Sequence, residues 1–157
     1  MCIRDRVPPG WKSVRLKDFT KGRRGTTYNK SELSENSSLY PLYINMKSFR
    51  VGGGYSINGD KFYSSPYTKT QLVMINDLLI ANTDVTASCD ILGAPVYLPE
   101  EKIENDVLFS HHVTALSLSE DVDKLFLFYL LCLDKNRVKM QSYGRGTTVK
   151  MLSLIHI

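Results

Sequence analysis

Asn76-Asp77-Leu78-Leu79-Ile80-Ala81-Asn82-Thr83-Asp84-Val85-Thr86 is the stretch whose reading decides the fold. Its apolar run, residues 78–81, is bounded by the turn pair Asn76-Asp77 and reads as a core strand. A second strand-like run follows over residues 91–98, kinked at Gly93 and Pro95. Between the two lies a polar loop, residues 82–86, in which nearly every side chain is a short hydrogen-bonding group. A core strand that delivers such a loop to the surface has the anatomy of a recognition site on a rigid scaffold. The alternative is a β-connection whose Asn, Asp and Thr satisfy only their own turn backbone.

Toward the N-terminus, residues 64–71 are polar and residues 72–75 lead into this strand. Residues 56–62, with the pair Asn58-Gly59, predict a hairpin. Val51-Gly52-Gly53-Gly54-Tyr55 is a flexible turn without the G-x-G-x-x-G spacing of a dinucleotide site. Residues 39–44 predict a strand, residues 45–50 a turn carrying Lys47 and Arg50, and residues 29–38 a surface loop. Lys21-Gly22-Arg23-Arg24-Gly25-Thr26-Thr27-Tyr28 is a basic loop flanked by glycines, whose Arg, Thr and Tyr side chains can reach phosphate oxygens. Val14, Leu16 and Phe19 alternate with polar residues as a strand or a short helical turn would, and Trp11 is expected as a core anchor.

Toward the C-terminus, an acidic connection after Pro99 precedes residues 107–118, where Val113, Ala115 and Leu116 continue the sheet. Ser119-Glu120-Asp121 can cap a helix, and the absence of Gly and Pro from residues 122–141 predicts one helix there. Its consecutive apolar residues, 125–133, go all the way round a helix rather than forming one stripe. Phe126, Tyr129, Leu130 and Leu133 are expected on the sheet, with Leu127, Phe128 and Leu131 facing outward as a partner surface. The competing arrangement folds the loop of residues 29–38 over that patch. Residues 143–150 form a glycine loop feeding a short strand. The fold class is α/β mixed (α+β): a mainly antiparallel twisted sheet with one substantial C-terminal helix.

The chain has 157 residues, 43% of them apolar, enough for one domain with a real core. Its longest apolar run, residues 125–133, is too short to span a bilayer, and no export signal is evident, so a cytoplasmic protein with no membrane partner is expected. Three cysteines without C-x-x-C spacing argue against a disulfide framework or zinc site. The ends, residues 1–6 and 154–157, fit no neighbouring capping or strand logic. They resemble the tails that adapter read-through adds to reading frames assembled from environmental DNA. They are read as non-native, leaving 7–153 as one domain and the chain as a fragment of a longer protein.

The net charge of +4 is mild, but its distribution is uneven. Residues 12–30 hold seven Lys or Arg against Asp18 alone, and residues 135–150 hold five with no acid. Residues 99–123 carry seven acids against Lys102. If the two basic ends meet in space, they make the positive face expected of a polyanion binder.

Catalytic equipment is sparse. His111 and His112 are adjacent, so on a strand they face opposite sides and are poorly placed to share a metal. Asp90 with Glu100 and Lys102 forms D-x9-E-x-K, the carboxylate–carboxylate–lysine set of some magnesium nucleases, and gives an alternative reading. No G-x-S-x-G elbow, P-loop or N-P-P-[YF] methyltransferase tetrad is present. The chain is poor in catalytic equipment, with no cofactor expected, and better supplied with DNA-reading side chains.

The order of these pieces resembles one target-recognition domain of the specificity subunit of type I restriction–modification systems. The resemblance covers about residues 7–153. It is carried by Pro9-Gly10-Trp11, Leu16 and Gly22, then Tyr40-Pro41-Leu42-Tyr43-Ile44 and Asn76-Asp77-Leu78-Leu79-Ile80-Ala81 with Thr83 and Thr86. It continues through Ile91-Leu92-Gly93, Ser110-His111-His112 and Phe128-Tyr129-Leu130 to Gly144-Arg145-Gly146-Thr147-Thr148-Val149-Lys150. The resemblance implies a non-catalytic module that reads one half of a split double-stranded DNA target. In that family two such domains are separated by long spacer helices, which dock methyltransferase (modification) subunits, while restriction subunits add cleavage. The alternatives are a different nucleic-acid-binding module or the small magnesium-dependent nuclease, but the residues agree with the DNA-reading domain. Arg23, Arg24, Arg145 and Lys150, with Thr26, Thr27 and Thr147 beside them, suit phosphates, while Asn82, Thr83, Asp84, Thr86 and His112 suit base edges.

Overall fold

In chain order the strands are β1 (Thr20–Arg24), β2 (Leu33–Ser34), β3 (Leu42–Ile44), β4 (Lys61–Tyr63), β5 (Asp77–Ala81) and β6 (Thr83–Asp84). They continue as β7 (Pro95–Val96), β8 (Val107–Phe109), β9 (Val113–Leu118), β10 (Gly144–Arg145) and β11 (Lys150–Leu152). The helices are α1 (Glu100–Ile103), α2 (Lys124–Cys132) and α3 (Asp134–Ser142). This computed structural model describes residues 9–152 apart from 11, 13, 37 and 38. The expected anchor Trp11 and the expected tails at 1–6 and 154–157 lie outside the described residues.

The strand read from residues 78–81 is the centre of the fold. β5 is buried along its whole length in an antiparallel sheet ordered β1-β9-β5-β7. Successive side chains of a strand point to opposite faces, so a strand buried on both faces reads as a continuous apolar run. Leu79 and Ala81 enter one core with Val113 and Ala115 of β9, Ile44, Phe49, Val96 and Phe109. Leu78 and Ile80 enter the other with Leu116 and Leu118 of β9, Leu127 and Leu131 of α2, and Met140 of α3.

A second sheet, β2-β4-β3-β8, is antiparallel except for the parallel pair β3–β8. A small third sheet, β10-β11-β6, ties the C-terminal hairpin to the strand that follows β5. The expected mixed architecture with mainly antiparallel strands is therefore present.

Four local expectations are corrected. Residues 56–62 form no hairpin: Ile57–Gly59 is a 3-10 turn, and β4 pairs instead with β2 and β3. The strand expected over 91–98 shrinks to β7, because Gly93 at φ +71 redirects the chain. A Cβ there would lie 2.9 Å from the Met140 Cβ, so glycine is also what lets α3 approach.

The single helix expected over 122–141 is two helices broken at Leu133, which is extended at φ −61 and ψ 133. Asp123 caps α2 by accepting from the Phe126 N–H at 2.7 Å. The Asn136 side chain donates to the Leu130 carbonyl at 2.7 Å, holding the corner. The break rotates α3 so that Arg137 and Met140 are buried.

The apolar faces of α2 are also the reverse of those expected. Leu127 and Leu131 are buried and Phe128 packs against the same core. Phe126, Tyr129, Leu130 and Leu133 are exposed. An all-round apolar helix carries no stripe from which its inner face can be chosen.

Candidate nucleic-acid interface

Gly25 makes the first link of the site. A Cβ at this position would sit 2.2 Å from the Phe109 carbonyl oxygen, so only glycine lets the end of β1 lie against the end of β8. The Thr26 N–H then donates to the Phe109 carbonyl at 2.8 Å, and the His111 N–H donates to the Thr26 carbonyl at 3.0 Å. This places Arg24 and Thr26 beside the turn between β8 and β9 that carries His111 and His112.

The second link runs from that turn to the end of β5. The Asn82 N–H donates to the His112 carbonyl at 2.8 Å, and Thr83 Oγ1 lies 2.9 Å from His112 Nδ1. The third runs to the C-terminal hairpin: Thr83 pairs with Met151, Asp84 pairs with Lys150, and the Leu152 N–H donates to the Asn82 carbonyl at 2.8 Å. Segments 24–27, 82–86, 111–112 and 144–152, far apart in sequence, are thus joined in one neighbourhood.

Within it the expected site residues play different parts. Arg24 and Thr27 are exposed. Arg145 is exposed and donates to the Ser142 and Gly144 carbonyls at 3.4 and 3.3 Å, weak contacts an anion can replace. Thr147 is exposed between β10 and β11, and the Lys150 ammonium donates to the Gly146 carbonyl at 2.6 Å, closing that hairpin. Thr26 is half-buried, with its hydroxyl accepting from the Gln71 side chain at 2.7 Å.

Arg23 belongs elsewhere. Its guanidinium forms an ion pair with Asp77, whose side chain is fully buried, and donates to the carbonyls of Thr70 at 3.0 Å and Leu72 at 3.2 Å. Its plane also lies over the Phe109 ring at 5.8 Å. Asp77 in turn accepts from the Ser117 hydroxyl at 2.6 Å and the Met74 N–H at 2.7 Å. Arg23 and Asp77 therefore stitch β1, β9 and β5 together, and the expectation that Arg23 neutralises phosphate is corrected.

The surface loop expected over residues 82–86 is corrected as well. Asn82, Thr83 and Asp84 are buried, and only Val85 and Thr86 are exposed. Asp84 Oδ1 accepts from the Thr86 N–H at 2.7 Å and the Thr86 hydroxyl at 2.8 Å, while Oδ2 accepts from the Ile91 N–H at 2.7 Å. Burial works against the Asp84 charge, but these donors outweigh it and hold the carboxyl below its ordinary range. Asp84 thus holds the turn, with Thr86 bonded to it and exposed at its tip.

His112 is shifted downward, first by burial and then by the neighbouring His111 and Arg24. The two imidazoles lie with ring centroids 3.8 Å apart. Composition gave no signal for two further members. Met46 presents its sulfur to the Thr83 hydroxyl at 3.5 Å, with exposed Lys47 next to it, and Gln71 holds Thr26.

Of the nuclease set, Lys102 lies over the Tyr55 ring, its Nζ 5.0 Å from the centroid. Among the described residues no group of three or more His, Cys, Asp or Glu side chains is placed to hold a metal ion. No helix among them is long and apolar enough to cross a membrane.

The sequence profile described as type I restriction modification DNA specificity domain matches residues 8–157. The chain belongs to this family. Solved structures of the same fold include one titled as the structural basis of complex assembly and conformational transition of the type I R-M system. It has 15% identity and a TM-score of 0.59, over 98% of this chain and 37% of that one. The type I restriction-modification S subunit from M. genitalium aligns at 10% identity and TM-score 0.57, over 99% of this chain and 34% of that one. The HsdS subunit from Thermoanaerobacter tengcongensis gives 16% and 0.52, over 99% and 36%. This specificity domain thus spans about a third of the length of those chains. No curated protein matches it. None of the comparisons indicates a catalytic family.

Proposed function

We propose that this chain reads the base sequence of double-stranded DNA, as one half of a type I specificity subunit, and has no catalytic activity of its own. The observation that carries this reading is the convergence of segments 24–27, 82–86, 111–112 and 144–152 on one neighbourhood. Arg24, Arg145 and Lys150 supply its positive charge, and Asp84, the acid at its centre, is tied into its own turn.

Phosphate contacts fix register without carrying sequence information; base edges are read by shorter side chains in the groove. Arg24, Thr27, Arg145, Thr147 and Lys150 take the first role. Thr86, exposed at the tip of the turn that Asp84 holds, takes the second. Methylation and cleavage are assigned to a modification subunit and a restriction subunit that this domain would direct, acting where the cell's DNA lies.

A salt titration of duplex affinity tests the charge assignment. Each phosphate neutralised contributes about 0.9 to the slope of log affinity against log salt. Replacing Arg24, Arg145 and Lys150 together by Ala is expected to lower the slope by roughly two to three. An unchanged slope removes these residues from the interface.

A further inference from the structure

The two adjacent histidines stand where the converging segments meet. His111 and His112 sit at the centre of the converging segments, with rings 3.8 Å apart between centroids. Two imidazolium ions at that separation repel, and His111 is among the influences that hold His112 below its ordinary range. His111 Nδ1 is buried and has no hydrogen-bond partner.

The groups around the pair supply no counter-charge. β1 contributes Arg24, a like charge. β6 contributes Asp84, whose charge acts on the buried Arg137. β11 contributes Lys150, which pairs across the ladder with Asp84, and the turn before Ser48 contributes Met46 and exposed Lys47. Tyr28 faces His111 with ring centroids 6.2 Å apart. Among the described residues no carboxylate is hydrogen-bonded to either imidazole.

The geometry nevertheless accommodates a protonated His112. Its Nδ1 lies 2.9 Å from Thr83 Oγ1, and the same hydroxyl lies 3.5 Å from the Met46 sulfur. When His112 is neutral, the hydroxyl can donate to Nδ1. When His112 is charged, Nδ1–H can donate to the hydroxyl, whose own proton turns toward the sulfur. One partner serves both states, so what the charged state lacks is an external anion.

We propose that Arg24, His111 and His112 form a phosphate subsite that takes up a proton as it closes on the DNA backbone. This rests on the DNA-reading function proposed above and adds a coupling that function does not require. A phosphate beside the pair supplies the missing counter-charge and favours the imidazolium. Binding and protonation are then linked, and affinity rises as pH falls through the bound-state titration of His112. It levels off once His112 is already charged in the free protein, which burial, His111 and Arg24 place below the ordinary histidine range.

The test is calorimetric titration of the full chain with a short mixed-sequence duplex near neutral pH, in two buffers of different ionisation heat. A net uptake between roughly 0.3 and 1 proton per duplex is expected. Duplex affinity should correspondingly strengthen about three- to tenfold from about pH 8 to about pH 6. His112→Gln, which keeps a polar group toward Thr83, should abolish most of the uptake, while His156→Gln should preserve it. Binding with no proton uptake by the unaltered protein would overturn the proposal while leaving DNA reading intact. Equal uptake in the His112 variant would also overturn it. Absence of duplex binding at every pH would sink DNA reading and this inference together.

Discussion

Replacing Arg23 by Ala separates a structural arginine from a phosphate-binding one. The Arg23 side chain is about one-quarter exposed, while that of its partner Asp77 is completely buried. Removing one member of a buried ion pair typically costs about 3–5 kcal/mol, because the remaining charge is left uncompensated. Asp77 would keep the Met74 N–H and the Ser117 hydroxyl, and water can reach the vacated side of Arg23. Those two effects lower the expected cost to about 2–3 kcal/mol. For a domain of this size that corresponds to a fall of roughly 5–10 °C in Tm.

Thermal and urea unfolding measure the loss, and a double-mutant cycle with Asp77→Asn should return a coupling energy above about 1 kcal/mol. The salt slope for duplex binding of folded Arg23→Ala should match that of the unaltered chain, whereas Arg24→Ala should lower it by about one. An Arg23→Ala protein that melts like the parent but loses salt slope would refute the reasoning.

Two other outcomes follow from the packing and from Asp84. Leu127→Ala or Leu131→Ala should each destabilise by about 2–4 kcal/mol in denaturant unfolding, whereas Phe126→Ser or Tyr129→Ser should cost under about 0.5 kcal/mol. A larger cost at Phe126 or Tyr129 than at Leu127 or Leu131 would restore the inverse orientation of α2. Asp84 titrates lower in the folded than in the unfolded chain, so its contribution is present above the unfolded value of about 4 and lost as pH falls through the folded one. The stability gap between the unaltered chain and Asp84→Asn should therefore be widest near neutral pH and narrow in acid. A gap independent of pH would show that the turn does not depend on the carboxylate's charge.

β5 and β9 were legible because burial on both faces leaves a local signature, an apolar run or alternation that needs no partner to be seen. The break at Leu133 was not, since no Gly or Pro marks it. It follows from the seating of Arg137 and Met140 beside Gly93, a tertiary contact. Arg23 was misread for a similar reason: a basic loop shows its charge in sequence, but not an Asp77 partner 54 residues away. Asp84 and Thr86 were recognised as recognition-type residues, yet short polar side chains serve turn backbones as readily as ligands. The union of Thr83 with His112 and Met151 depends on long-range pairing that periodicity cannot report. Charge clustering pointed to the two basic ends as one face, and only the resemblance to specificity domains joined segments 82–86 and 111–112 to them.

The most direct test of the central claim is selection of duplexes by the full chain from a library with a randomised centre, at a salt concentration that suppresses non-specific binding. Sequence reading predicts enrichment of one short motif, with single-base changes costing about 1–3 kcal/mol each, and loss of that preference in Thr86→Ala. Retention of duplexes without any enriched motif would contradict it.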